Sequence, residues 1–189
     1  MTDKIEDNIN KECITADNIT ADNISVLIDQ LGAQLVKDEL MLATAESCTG
    51  GWIAKSVTDK AGSSAFFDFS CVTYSNDAKQ KLLGVSTQTL ADHGAVSEPV
   101  VVEMAEGLLG ICNASVGVAT SGIAGPGGGT ADKPVGTVCF AWAFKNKPTQ
   151  KITKQFSGDR ESIRKQAVKC ALEGILHNLL LEACIPENL

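Results

Sequence analysis

The chain is short of the residues that mark a metal centre, a disulfide scaffold or a nucleic-acid surface. It has two histidines, His93 and His177, and neither falls in a metal-ligand spacing. Its seven cysteines are odd in number and never form a C-x-x-C pair. Cys71, Cys112, Cys139 and Cys170 lie in apolar stretches and read as reduced, small hydrophobes of a cytoplasmic protein. No apolar run is long enough to span a bilayer, and the acidic N-terminus is not expected to act as a signal peptide. Positive charge is scarce too. The formal net charge is −7, which argues against nucleic acid as a partner. Residues 1–23 hold six acidic and two basic side chains, so the remainder carries only −3. That remainder can still gather its cations around an anionic ligand. Aromatics make up 5% of the chain, and the abundant small residues suit tight packing of helices on a sheet.

What is present is 189 residues, 44% of them hydrophobic, enough for one core and one domain. The first 22 residues repeat Asp-Asn-Ile and Ile-Thr-Ala-Asp-Asn without an apolar face, so a disordered polar tail is expected over 1–22. A single domain is expected over 23–184. Asp22 or Asn23 would cap a first helix whose face is Ile24, Leu27, Ile28, Leu31 and Leu35.

The stretch that organises the rest is Glu46-Ser47-Cys48-Thr49-Gly50-Gly51. A buried strand over about 39–45 leads into it and a helix over about 50–60 leaves it. A strand, a glycine-containing turn and a helix can expose a nucleophile or aim backbone N–H groups at an anion. A plainer alternative makes Thr49 a helix cap and the glycines a tight turn. Further strands are expected at about 67–74, 115–120, 135–144 and 150–156. Short helices capped by Ser75 or Asn76 and by Ser97 fall between the second and third strands, and a long helix follows Ser157-Gly158-Asp159. Strand 135–144 alternates Val138, Phe140, Trp142 and Phe144 with Thr137, Cys139, Ala141 and Ala143, and turns at 146–148 into a lysine-bearing edge strand. The pattern predicts a three-layer α/β/α sandwich with a mostly parallel sheet whose fourth strand is antiparallel. The polar and glycine-rich segments then gather at one edge, the ligand-binding edge of open α/β sheets.

Serine needs a base, and no histidine lies in those segments. Lys79, in the first turn of its helix, can take that role once its pKa is lowered. Tyr74, the only tyrosine, could relay a proton or position Ser47, and Tyr74 and Glu46 stay open as alternative bases. Cys48 is a rival nucleophile whose side chain should point into the core. Residues 121–129 offer closely spaced N–H groups for a phosphate or oxyanion, without the ending of a P-loop. Arg160, one of two arginines, stands at a helix start on the same edge. The catalytic candidates are Ser47, Tyr74 and Lys79. The candidate substrate contacts are Glu46, Thr49, Gly50, Ser121, Gly122, Gly125, Lys133 and Arg160.

Thr44–Gly51, Val72–Asn76, Lys79, Gly94–Ser97, Ser121–Pro126, Lys133–Thr137 and Phe156–Arg160 together resemble the CinA C-terminal domain family over about residues 24–182. Within that family the motifs resemble those of stand-alone nicotinamide-nucleotide amidases. The resemblance implies a five-stranded mixed sheet of order 2-1-3-4-5. It implies hydrolysis of nicotinamide mononucleotide to nicotinate mononucleotide and ammonia in pyridine-nucleotide recycling. Ser47, Tyr74 and Lys79 would be catalytic, with Arg160 and the glycine-rich loop as substrate contacts and no metal or organic cofactor. Nicotinamide mononucleotide is thus the expected small-molecule partner, with no nucleic acid and no membrane, and a homo-oligomer such as a dimer is left open. The alternative of another class is a non-catalytic nucleotide-binding or regulatory module that keeps only the phosphate cradle.

Overall fold

The strand β4 (Thr137–Phe144) feeds both halves of the core in the computed structural model, which describes residues 21–183 and side chains from Ile24 to Leu181. Val138, Phe140, Trp142 and Phe144 face one layer, and Cys139, Ala141 and Ala143 face the other. This is the expected alternation. A strand buried on both sides is apolar on both, and its two faces differ in the size of their side chains.

β4 belongs to a five-stranded sheet of order β2-β1-β3-β4-β5, with β1 at Leu42–Glu46, β2 at Phe67–Val72, β3 at Val116–Gly122 and β5 at Gln150–Gln155. β1 runs parallel to both β2 and β3, and β4 runs antiparallel to β3 and β5. The expected three-layer sandwich, strand order and antiparallel fourth strand are all found.

Helices α1 (Ala21–Lys37), α2 (Trp52–Thr58) and α6 (Arg160–Ala183) cover the large-residue face. The predicted stripe of α1 is buried throughout, and Val168, Leu172, Ile175 and Leu179 of α6 are buried with Leu176 at the margin. Each such side chain contributes about 1.5–3 kcal/mol when fully removed from water. Phe140 stacks on Trp142 at 5.8 Å, and the Trp142 indole N–H donates to Ala171 O at 2.9 Å. Helices α3 (Asn76–Leu83), α4 (Thr87–His93) and α5 (Glu98–Ile111) cover the small-residue face. There the backbones come close. A methyl at Gly107 of α5 would lie 1.9 Å from the Leu83 carbonyl oxygen.

Two local expectations differ from the structure. Ser97 sits at the start of α5, but its hydroxyl donates back to Gly94 O at 2.8 Å instead of capping the helix. The expected tail lies outside the described residues up to residue 20, while Ala21 and Asp22 already belong to α1. Among the described residues no helix is long and apolar enough to cross a membrane.

The topology fixes where ligand can bind. β1, β2, β3 and β5 end, and β4 begins, at the same edge of the sheet.

Candidate active site

β1 delivers Glu46 to that edge, where the chain must turn back into α2. The turn uses left-handed backbone at Gly50 (φ 62°) and Gly51 (φ 89°), a conformation that favours glycine. No side chain at the first residue before α2 caps it. Glu46, fully buried, does so from further upstream, accepting from Ile53 N–H at 3.0 Å and Ala54 N–H at 2.8 Å. Arg164 of α6 braces the turn from the other side, with Nε donating to Cys48 O at 3.1 Å and Nη2 to Thr49 O at 2.7 Å. Its guanidinium lies 5.3 Å over the Trp52 ring. Ser47 N–H donates to Thr120 O at 3.0 Å, and the Thr49 and Thr120 hydroxyls pair at 2.9 Å. Ser47 is thereby held at a fixed height above the end of the sheet.

α3 brings the second group. Ser75 Oγ accepts from Ala78 N–H at 3.1 Å, the cap the sequence suggests, and this orientation turns Lys79 inward. Lys79 is only 1% exposed, while Leu82 of the same helix is 50% exposed. The Lys79 amine donates to Thr73 O at 2.7 Å and lies 3.1 Å from Ser47 Oγ. Burial pushes its pKa below the ordinary lysine value, and the neighbouring Cys48 thiol opposes that shift. Burial, then, is the cause of the lowered value.

These groups open into a cavity of about 210 Å³ lined by Ser47, Tyr74, Lys79, Ser121, Gly122 and Arg160, with Cys48, Ala95, Val96 and Ala124 between them. Tyr74 is 63% exposed, and its hydroxyl accepts from Arg160 Nη2 at 3.1 Å. Arg160 Nη1 donates to Gly125 O at 2.6 Å, joining the rim to the glycine-rich loop. Ser121 Oγ donates to Ala95 O at 2.7 Å.

The structure brings together six of the residues singled out in the sequence: Ser47, Tyr74, Lys79, Ser121, Gly122 and Arg160. Gly125 touches the site through its carbonyl. Glu46, Thr49 and Gly50 lie behind the serine in the turn, and Glu46 has its carboxylate on α2. Lys133 reaches sideways, donating to His93 O at 2.7 Å, and does not line the cavity. Cys48 does point inward, 6% exposed, with its thiol pKa pushed up by burial to about 12. It is a protonated thiol at neutral pH and a poor nucleophile. Sequence reading missed Arg164, which looks like a solvated helix residue. Its signal was its place one turn after Arg160 on the same helix. Among the described residues, no group of three His, Cys, Asp or Glu side chains is placed to hold a metal ion.

A protein-family model described as CinA C-terminal domain matches residues 24–179. The chain belongs to the CinA C-terminal domain family. Within it, the chain is 50% identical over 162 residues to a protein of Escherichia coli (strain K12) named nicotinamide-nucleotide amidohydrolase PncC, covering 86% of this chain and 98% of that one. A protein of the same name from Enterobacter agglomerans is 54% identical over 151 residues, covering 80% and 92%. A crystal structure of the competence/damage inducible protein CihA from Agrobacterium tumefaciens superposes with a TM-score of 0.81 at 44% identity, covering 84% and 96%. Membership of the CinA C-terminal domain family thus extends over the whole sheet and every segment that forms the cavity.

Proposed function

We propose that this chain is an amidohydrolase that converts nicotinamide mononucleotide to nicotinate mononucleotide and ammonia, and that residues 23–184 form its single domain. The observation that carries the reading is the buried amine of Lys79, 3.1 Å from Ser47 Oγ, with its pKa lowered by burial. A neutral lysine beside a serine on a braced turn is a base and nucleophile pair. The names of the proteins from Escherichia coli and Enterobacter agglomerans supply the substrate class.

Lys79 takes the Ser47 proton as Ser47 Oγ bonds to the carboxamide carbon, whose positive pyridinium ring already withdraws electrons. The developing oxyanion needs N–H donors. Those of Ser47 and Ile123 are engaged with Thr120 O (3.0 Å) and Thr137 O (2.8 Å). The N–H groups of Cys48 and Ala124, in the Ser47 turn and the glycine-rich loop, belong to residues that line the cavity, and this reading assigns them the oxyanion. Protonated Lys79 returns its proton to the departing nitrogen, which leaves as ammonia. Water, deprotonated by the same amine, then cleaves the nicotinyl ester and restores Ser47. Tyr74, held by Arg160 at the mouth, assists proton movement. Arg160 and the N–H groups of the glycine-rich loop hold the 5′-phosphate.

The test is incubation with nicotinamide mononucleotide, with release of ammonia and nicotinate mononucleotide as readout. Wild-type protein is expected to turn over, and Ser47→Ala is expected to lose all of it. Binding of the nucleotide without ammonia release by the wild type would replace the enzyme reading with a non-catalytic nucleotide-binding or regulatory module.

A further inference from the structure

Thr73, between β2 and α3, carries a buried hydroxyl that has no hydrogen-bond partner among the described residues. A hydroxyl stripped of water and left unpaired is unfavourable, so such groups are rare and concentrate where function needs them. The backbone of the same residue is fully engaged. Its N–H donates to Glu46 O at 2.9 Å, and its carbonyl accepts from Lys79 Nζ at 2.7 Å. The unpaired oxygen therefore belongs to the residue that orients the lysine.

Counting protons on Lys79 gives the hydroxyl a use. A neutral amine has two N–H bonds and one lone pair. One N–H is on Thr73 O, and the lone pair is available to the hydroxyl proton of Ser47, 3.1 Å away. When that O–H bond breaks and the N–H bond forms, Lys79 becomes an ammonium with three N–H bonds. Ser47 Oγ, once bonded to the acyl carbon, is a weaker acceptor than the free hydroxyl it was. The ammonium then has more donors than the resting site has acceptors.

We propose that Thr73 Oγ1 is the acceptor held in reserve for protonated Lys79, making Thr73 a positioning residue that acts through the lysine. The hydroxyl keeps its own proton and accepts through a lone pair. The inference rests on the reading of Ser47 and Lys79 as nucleophile and base. An acceptor for the charged form raises the lysine pKa, so its removal lowers it. The other titratable or charged groups around Lys79 are the Cys48 thiol, the Tyr74 hydroxyl and the Arg160 guanidinium in the cavity, and the Glu46 carboxylate behind the turn. None of them changes in the variants below.

The experiment is the pH dependence of ammonia release from nicotinamide mononucleotide for wild type, Thr73→Val and Thr73→Ser. Valine keeps the shape and removes the hydroxyl, and serine keeps the hydroxyl. Thr73→Val is expected to melt at or above the wild-type temperature. Its kcat should fall about tenfold with KM unchanged, and its ascending pH limb should move to lower pH. Thr73→Ser should restore both. Wild-type kcat and an unmoved limb in Thr73→Val would overturn the proposal, as would a loss that serine does not restore. Thr73→Ala reads the same quantities if the valine protein does not fold. Ser47→Ala and Lys79→Ala, run alongside, separate the two readings. Turnover in either defeats the nucleophile and base assignment, whereas inactivity of both with an unchanged Thr73→Val defeats only the reserve acceptor.

Discussion

Two glycine-bearing segments flank the cavity, and they are held in opposite ways. The Ser47 turn is fastened at nearly every residue: by Glu46 onto α2, by Arg164 onto two carbonyls, and by Thr49 and Ser47 onto Thr120. The loop after β3 is fastened at its ends. Ile123 exchanges bonds with Thr137 and Gly136, Arg160 holds Gly125 O, and residues 126–132 are exposed. A nucleophile must be placed to a fraction of an ångström, and a recognition loop must accommodate a ligand that comes and goes. The difference teaches that glycine content alone says little about rigidity. What brackets the glycines decides it.

The sharpest way to test the braced side is Lys79→Met, which removes the buried amine and keeps much of its volume. Turnover should fall by about 10²–10⁴-fold, the range for loss of a general base. Stability should move the other way. Burial lowers the lysine pKa in the folded protein, so between that lowered value and the ordinary 10.5 the unfolded chain binds more protons. Wild-type stability therefore rises with pH across that window, and the methionine variant should lose the slope while melting no lower at neutral pH. Urea titrations at several pH values check this. A variant that is both active and less stable would sink the view of Lys79 as a buried base.

A second cut on the same side is Glu46→Gln. The amide keeps the shape but gives up the charge that accepts two helix N–H groups, so a loss of about 1.5–3 kcal/mol is expected, read from denaturant midpoints. An unchanged midpoint would mean that the turn is held without its carboxylate.

On the loop side the expected effects are small and graded. Gly125 has φ 81°, and a methyl there would lie 2.6 Å from a Val135 methyl, so Gly125→Ala should cost about 1 kcal/mol. Gly127 has open space within 4 Å of such a methyl, and Gly127→Ala should stay within about 0.5 kcal/mol of wild type. A large loss at Gly127 would erase the contrast between the two segments.

Much of the fold was legible in the sequence, for physical reasons that can be named, whereas the bracing of the two segments was not. The two faces of β4 could be read because a strand alternates its side chains strictly. Sheet-edge placement followed from one hairpin, between the fourth and fifth strands, in an otherwise parallel sheet. Lys79 was legible as chemistry but not as burial. In α3 the apolar Leu82 is half exposed, while Lys79 is buried beside Leu83. Helical periodicity assumes that apolar residues win the inside, and a site lysine breaks that assumption. Glu46 and Arg164 were illegible in their actual contacts, because each bonds the backbone of another element. Arg164 bonds a turn more than a hundred residues upstream, and no local pattern encodes that. Thr73 could not be singled out either, since an unpaired hydroxyl is visible only once its surroundings are placed.

The antiparallel fourth strand has one more consequence, for anyone who wants to handle the protein. Because β4 starts at the cavity edge, its hairpin to β5 closes at the far end of the sheet, with Asn146 in left-handed backbone at φ 67°. Residues 145–148 are exposed there, a sheet's length from Ser47. That hairpin is a natural handle. A reporter peptide spliced into it, or a tether to a bead or electrode, would leave the mouth of the cavity facing free solution.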